Sequence, residues 1–167
     1  MTGVQTCALP ICTPMSFIID EIGGGFNDTI KAIQIGGPLG GVVPVDILRT
    51  LTLDFEVFSE GGFLLGHASF VCIPQSFSAV EYAKHLFAFT AHESCGKCFP
   101  CRLGATRGKE MLESALEKDQ KFSEELINDL LETMEVGSLC ALGGGLPLAI
   151  KNLLEHCADE FKPLMEK

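Results

Sequence analysis

The sequence predicts an α+β chain in two parts, a small mixed unit over residues 13–74 and a four-helix unit over residues 75–167. Three observations predict it. Two short apolar runs, IKAIQI at 30–35 and ASFVCI at 68–73, have the length and β-branched content of strands. From Ser76 onward the apolar residues recur at helical spacing instead. Between the two strand runs lies GGPLGGVVP at 36–44, a glycine- and proline-rich loop.

Each element has its own local signals. Residues 13–22 (TPMSFIIDEI) suit one short helix that carries Met15, Phe17, Ile18 and Ile22, with Thr13 as cap, Pro14 in the first turn and Gly23 at the end. A second short helix is expected near 46–49, a turn at Gly61-Gly62, and Pro74 closes the second strand. In the helical part, Ser78 and Glu81 make a capping box, and Val80, Ala83, Phe87 and Ala91 mark the buried face of a helix ending near His92. A cysteine loop follows at 93–101, then a helix over 102–117 with Leu112, Ala115 and Leu116 inward. Ser123 caps a third helix, aided by Glu124 and Glu125 near its positive end, and Leu126, Ile127, Leu130, Leu131 and Met134 form its apolar face. The stretch 137–145 (GSLCALGGG) reads as a loop, and Pro147 opens a fourth helix with Ile150, Leu153, Leu154, Cys157, Ala158 and Phe161 along one stripe.

Charge and hydropathy narrow the function. The 167 residues carry 12 basic and 22 acidic side chains, a net charge of -10, which excludes a basic nucleic-acid-binding face and is repelled by an anionic membrane surface. The mean hydropathy of +0.30 is high for a soluble chain, so part of the surface is expected to be covered by something else. The longest uncharged runs are 1–19 and 61–80. The first lacks the basic start of a signal peptide, and the second is broken by glycine, proline and serine. A cytoplasmic chain without membrane insertion is therefore expected, and its eight cysteines point to metal binding rather than disulfides.

Cys95, Cys98 and Cys101 form C-x-x-C-x-x-C. Three thiolates from one tight turn suit three corners of an iron–sulfur cube, each binding a different iron, whereas a zinc ion usually draws two cysteines from each of two loops. The bacterial ferredoxin run would place its next cysteine at 105, which is alanine, so the fourth ligand comes from elsewhere. Cys140, flanked by Gly137 and Gly143-Gly144-Gly145, is the candidate, because two antiparallel helices bring its loop back to the first. Lys97, Arg102 and Arg107 are the nearest cations by sequence, and would raise the reduction potential of an anionic cluster if they face it. The alternative is a zinc-stapled structural or interaction module without a redox role; iron and acid-labile sulfide against one zinc would separate the two. Cys72 and Cys157 read as small buried hydrophobes, and His67, His85, His92 and His156 are scattered. GGPLGG at 36–41 lacks the lysine and hydroxyl of a phosphate loop and reads as a tight turn.

The opening string MTGVQTCALPI resembles the in-frame translation of a sequencing-adapter oligonucleotide. It implies that residues 1–12 are a non-native leader and that the natural protein begins further upstream.

ESCGKCFPCRLG at 93–104 resembles the iron–sulfur-binding C-terminal region of the 51 kDa flavoprotein subunit of NADH:quinone oxidoreductase, a family that includes the diaphorase subunits of NAD-dependent formate dehydrogenases and hydrogenases. SLCALG at 138–143 is similar to that family's second motif, which carries the fourth ligand, and IQIGGPLGG at 33–41 to its β-grasp (ubiquitin-like, SLBB) segment. TPMSFIIDEIGGG at 13–25 resembles the helix of that domain. The resemblance implies a truncated β-grasp unit over 13–74, with its first hairpin missing, and an all-α four-helix 4Fe–4S-binding bundle over 75–167. It implies one [4Fe–4S] cluster held by Cys95, Cys98, Cys101 and Cys140, relaying electrons from FMN and NAD(P)H bound in a missing N-terminal domain. The implied partners are a thioredoxin-like 2Fe–2S subunit and a larger ferredoxin-like subunit, in a complex that is cytoplasmic or peripheral to the inner face of the cell membrane. The fragment alone is not expected to oxidise NADH.

Overall fold

The computed structural model describes residues 10–166, so most of the leader expected at 1–12, Cys7 included, lies outside the described residues. Of the remainder of that leader, Ile11 and Cys12 are exposed, and the Cys12 N–H donates to the Leu53 carbonyl.

The first helix, α1 (Met15–Phe17), continues directly into a π-helical turn over Ile18–Ile22. Its N-cap is Pro14 rather than Thr13, whose hydroxyl instead donates to the Pro10 carbonyl. Met15 and Ile19 are its buried residues; Phe17 and Ile22 are exposed.

Strand β1 (Ile30–Ile35) is central in an antiparallel sheet of order β2-β1-β3, with β2 at Val42–Pro44 and β3 at Phe70–Pro74. Ile33 pairs with Val43 on one side and with Cys72 on the other. Part of the expected 36–44 loop is thus a strand, because Val42 and Val43 are both buried by their neighbours. The short helix α2 (Val45–Leu48) follows at once. Helix α3 (Phe55–Glu60), absent from the sequence expectations, is capped by Asp54, whose carboxylate accepts from the Glu56 and Val57 N–H groups.

The sheet is covered on both faces. Ile33, Ile35 and Val43 join Met15, Leu48 and Phe58 in one apolar cluster. Ala32, Val42 and Ile73 point the other way and join the core of the helices. The period-two alternation of β1 divides these residues between two cores. Gln34, on the helix side, is buried and accepts a 2.5 Å hydrogen bond from the Tyr82 hydroxyl, whose pKa burial pushes up to about 12. Edge strand β3 leaves Phe70, Val71 and Cys72 exposed, so Cys72 is not the buried hydrophobe that its sequence setting suggests.

The helices are α4 (Ala79–Glu93), α5 (Phe99–Lys118), α6 (Glu124–Gly137), α7 (Ala141–His156) and α8 (Ala158–Phe161). Ser78 and Ser123 cap α4 and α6 by accepting from the Glu81 and Leu126 N–H groups. The Glu81 carboxylate binds Lys84. In α6, Ile127, Leu131 and Met134 are buried, while Leu126 is exposed. The expected single fourth helix breaks at Cys157, and Phe161 is carried inward by α8. Strand β4 (Phe122–Ser123) pairs in parallel with β5 (Met165–Glu166) and ties the C-terminus beside the start of α6.

Besides Tyr82–Gln34, two more polar side chains join the sheet to the helices. Asn152 of α7 is buried; its Oδ1 accepts from the Val42 N–H at 3.1 Å and its Nδ2 donates to the Gly62 carbonyl at 3.3 Å. The Lys31 ammonium pairs with Glu160 and donates to the Phe77 carbonyl, while the second Glu160 oxygen accepts from the Ala79 N–H.

Candidate metal centre

The three cysteines of the first motif do not all lie in a loop. Helix α5 starts at Phe99, so Cys98 is its N-cap and Cys101 lies buried in its first turn. Pro100 is tolerated there because the first-turn N–H groups have no helical partner to lose. Cys95 is exposed in the connection after α4, where Gly96 turns the chain at φ 74°.

The second motif also departs from expectation. Residues 141–145 are not a loop; α7 begins at Ala141 and contains the whole glycine triplet as well as Pro147. Cys140 is its N-cap, extended at φ -151° and ψ 171°, and is exposed. The glycines suggest a loop because glycine is a poor helix former. Packing overrides that propensity: a Cβ on Gly143 would stand 2.4 Å from Ser138 Oγ and 2.6 Å from Cys101 Cβ. Close approach to α5, not a turn, is what requires glycine at 143.

That approach brings the two motifs together. The Leu139 backbone N–H donates to the Cys98 sulfur, which holds this thiol below its usual pKa; the Cys101 and Cys98 N–H groups and the Cys101 thiol act in the same direction, and desolvation opposes them. The Ser94 hydroxyl lies 3.4 Å from the Cys101 sulfur. Cys98, Cys101 and the Leu139–Cys140 turn thus share one end of the bundle. Among the described residues, no three His, Cys, Asp or Glu side chains are gathered in the arrangement that holds a metal ion. Thiolates on one zinc ion would need sulfurs about 3.8 Å apart, whereas a cube spreads its ligands over different irons.

The local field suits an anion. Helices α5 and α7 both present their N-termini here, and each has a cysteine rather than a Ser, Thr, Asp or Asn at its N-cap. Neither has an acidic residue in its first turn, although α3, α4 and α6 all do. The positive ends of two helix dipoles are therefore left free for a negative ligand. Four thiols, soft donors, together with these amide groups fit an iron–sulfur cluster.

Of the three cations expected to tune the site, Lys97 is exposed in the connection. Arg102 stacks its guanidinium over the Phe99 ring at 5.1 Å, and Arg107 is paired with Glu110 at 3.2 Å. Around the cysteines, Phe99, Leu103, Val136 and Leu139 are all exposed. A groove of about 330 Å³ runs between Phe99, Pro100, Leu103 and Leu130. A larger cavity, about 650 Å³, lies at Leu53, Phe55, Leu65 and His67 and is lined by none of the four cysteines. Sequence reading gave Ser138 no role and placed Gly143 in a loop beside Cys140; its packing against Cys101 is visible only in the fold.

Residues 81–163 match the family described as the NADH-ubiquinone oxidoreductase-F iron-sulfur binding region. The chain is 31% identical over 163 residues to the NADP-reducing hydrogenase subunit HndC of Solidesulfovibrio fructosivorans, an alignment that takes in 96% of this chain and 33% of that protein. It is 30% identical over 159 residues to the mitochondrial NADH-ubiquinone oxidoreductase 51 kDa subunit of Neurospora crassa, covering 92% of this chain and 32% of that one. Among solved structures, an NAD+-reducing [NiFe]-hydrogenase in the H2-reduced state shares the fold, with a TM-score of 0.78 at 23% identity over 95% of this chain and 27% of the other. The chain spans about a third of the length of the curated relatives it matches. No helix among the described residues is long and apolar enough to cross a membrane.

Proposed function

The chain belongs, through residues 81–163, to the NADH-ubiquinone oxidoreductase-F iron-sulfur binding family, whose cofactor is a 4Fe–4S cluster, and from that premise we propose that it is a one-cluster electron-transfer module ligated by Cys95, Cys98, Cys101 and Cys140. One observation supports the ligand set: the segment bearing Cys140 packs on the first motif, so closely that a Cβ on Gly143 would stand 2.6 Å from the Cys101 Cβ and one on Gly137 2.8 Å from Pro100 Cγ. When bound, the cluster supplies one-electron redox chemistry. The protein's own part is to hold four thiolates, to direct two helix N-termini at them, and to bury the Cys101 side while leaving Cys95 and Cys140 near the surface.

In this reading the electrons come from FMN and NAD(P)H bound by a domain that precedes these residues in a longer subunit, and leave to iron–sulfur clusters of partner subunits. The exposed apolar rim of Phe99, Leu103, Val136 and Leu139 supports a covered surface at this end. Residues 13–74 then form a truncated β-grasp unit, residues 75–167 the cluster-binding bundle, and the whole works in the cytoplasm within a multi-subunit oxidoreductase. The exposed apolar edge strand β3, which has no outer neighbour among the described residues, supports the β-grasp part.

Anaerobic reconstitution of the chain with ferrous iron and sulfide tests the assignment. The expected product is brown, carries about four irons and four sulfides, and gives the EPR signal of a reduced [4Fe–4S] cluster. Serine replacement of any of Cys95, Cys98, Cys101 or Cys140 should abolish or degrade that signal, and serine at Cys72 or Cys157 should leave it intact. A colourless protein holding one zinc would overturn the redox reading.

A further inference from the structure

Ser138 Oγ is buried and, among the described residues, has no hydrogen-bond partner. A buried hydroxyl without a partner is unfavourable, so it calls for a reason. Ser138 caps the C-terminal end of α6, and its backbone N–H is satisfied by the Met134 carbonyl; only the side chain is orphaned. The hydroxyl and the Cys101 Cβ meet over the same glycine, since a Cβ on Gly143 would contact both. Ser94 provides the contrast. Its hydroxyl lies 3.4 Å from the Cys101 sulfur and accepts from the Gly96 N–H. Ser94 thus has a protein partner and the Ser138 hydroxyl, among the described residues, has none.

We propose that Ser138 is a positioning residue whose hydroxyl donates to sulfur at the Cys101 corner of the bound cluster and so favours its reduced form; this rests on the cluster reading above. Reduction adds negative charge to the sulfurs, and a donor aimed at them stabilises the more negative state, which raises the reduction potential. In the unloaded chain the same hydroxyl does nothing useful. The two states therefore respond oppositely to its removal.

The test uses the full chain as native protein, Ser138→Ala and Ser138→Thr, each reconstituted with iron and sulfide and titrated with EPR detection, alongside thermal unfolding before reconstitution. Ser138→Ala should shift the cluster midpoint negative, read as an about fivefold lower ratio of reduced to oxidised cluster at a fixed poise. Ser138→Thr, which keeps the donor, should titrate like the native protein. Before loading, Ser138→Ala should be at least as stable as native. A variant that folds but no longer retains the cluster, while Ser138→Thr does, also supports the assignment. A loaded Ser138→Ala chain with the native midpoint overturns it alone. A native chain that takes up no cluster overturns the cluster reading and the Ser138 assignment with it.

Discussion

Gly143 of α7 lies against Cys101 of α5 so closely that a single added methyl would stand 2.6 Å from the cysteine Cβ. This contact sets the distance between the two helix starts and hence between the two cysteine motifs.

Gly143→Ala is therefore expected to destabilise the chain by about 1–2 kcal/mol, since overpacking outweighs the gain in helix propensity. It should also weaken cluster retention, because α7 must move away from Cys101. Gly145→Ala, two residues on, meets only ordinary contact with Leu39 at 3.5 Å and should be neutral or stabilising by up to about 1 kcal/mol. Denaturant unfolding of both unloaded variants, with iron content after reconstitution, checks the pair. Equal behaviour at 143 and 145 would refute close packing at this point.

Asn152→Ala should cost about 1–3 kcal/mol, because it strands the buried Val42 N–H and frees the Gly62 carbonyl. The loss should fall on the joint between the sheet and α7. Hydrogen exchange would then rise at Val42 and Val43 more than within α5 and α6. Uniform exchange throughout the chain would show that the contact does not hold the sheet to the helices.

The thiols should ionise in a definite order. Donated N–H groups hold Cys98 below the usual thiol value, so its thiolate appears first as pH rises. Desolvation pushes Cys72 and Cys157 up, so their thiolates appear later; in Cys72 the sulfur is partly desolvated although the residue as a whole is exposed. In the unloaded chain, iodoacetamide should label Cys98 ahead of Cys72 and Cys157 below the ordinary thiol pKa, with the gap closing in alkali. Mass spectrometry across a pH series reads the order directly, and Cys72 labelling before Cys98 at neutral pH would contradict it.

Much of this protein is visible in local sequence. IKAIQI forms its strand at the residues expected, and the Ser78 and Ser123 caps sit where a hydroxyl precedes a helical apolar run. Such features depend on neighbours a few residues away, so chain order suffices to find them. Helix α3 escapes because its single helical turn and a half is too short to show a period, and only the Asp54 cap marks it.

By itself the sequence determines the kind of chemistry. Cysteines spaced by two residues present their sulfurs from one short segment, the arrangement that suits an iron–sulfur cluster. Tertiary structure alone decides where α5 and α7 start, and that their amino ends meet beside Cys98. Helix boundaries at glycine, proline and cysteine turn on whether another helix packs there. The bare amide groups of those two first turns and the small cross-section of Gly143 matter only once α5 and α7 are side by side. Until then, nothing in the order of residues distinguishes the Ser138 hydroxyl from any other at the surface.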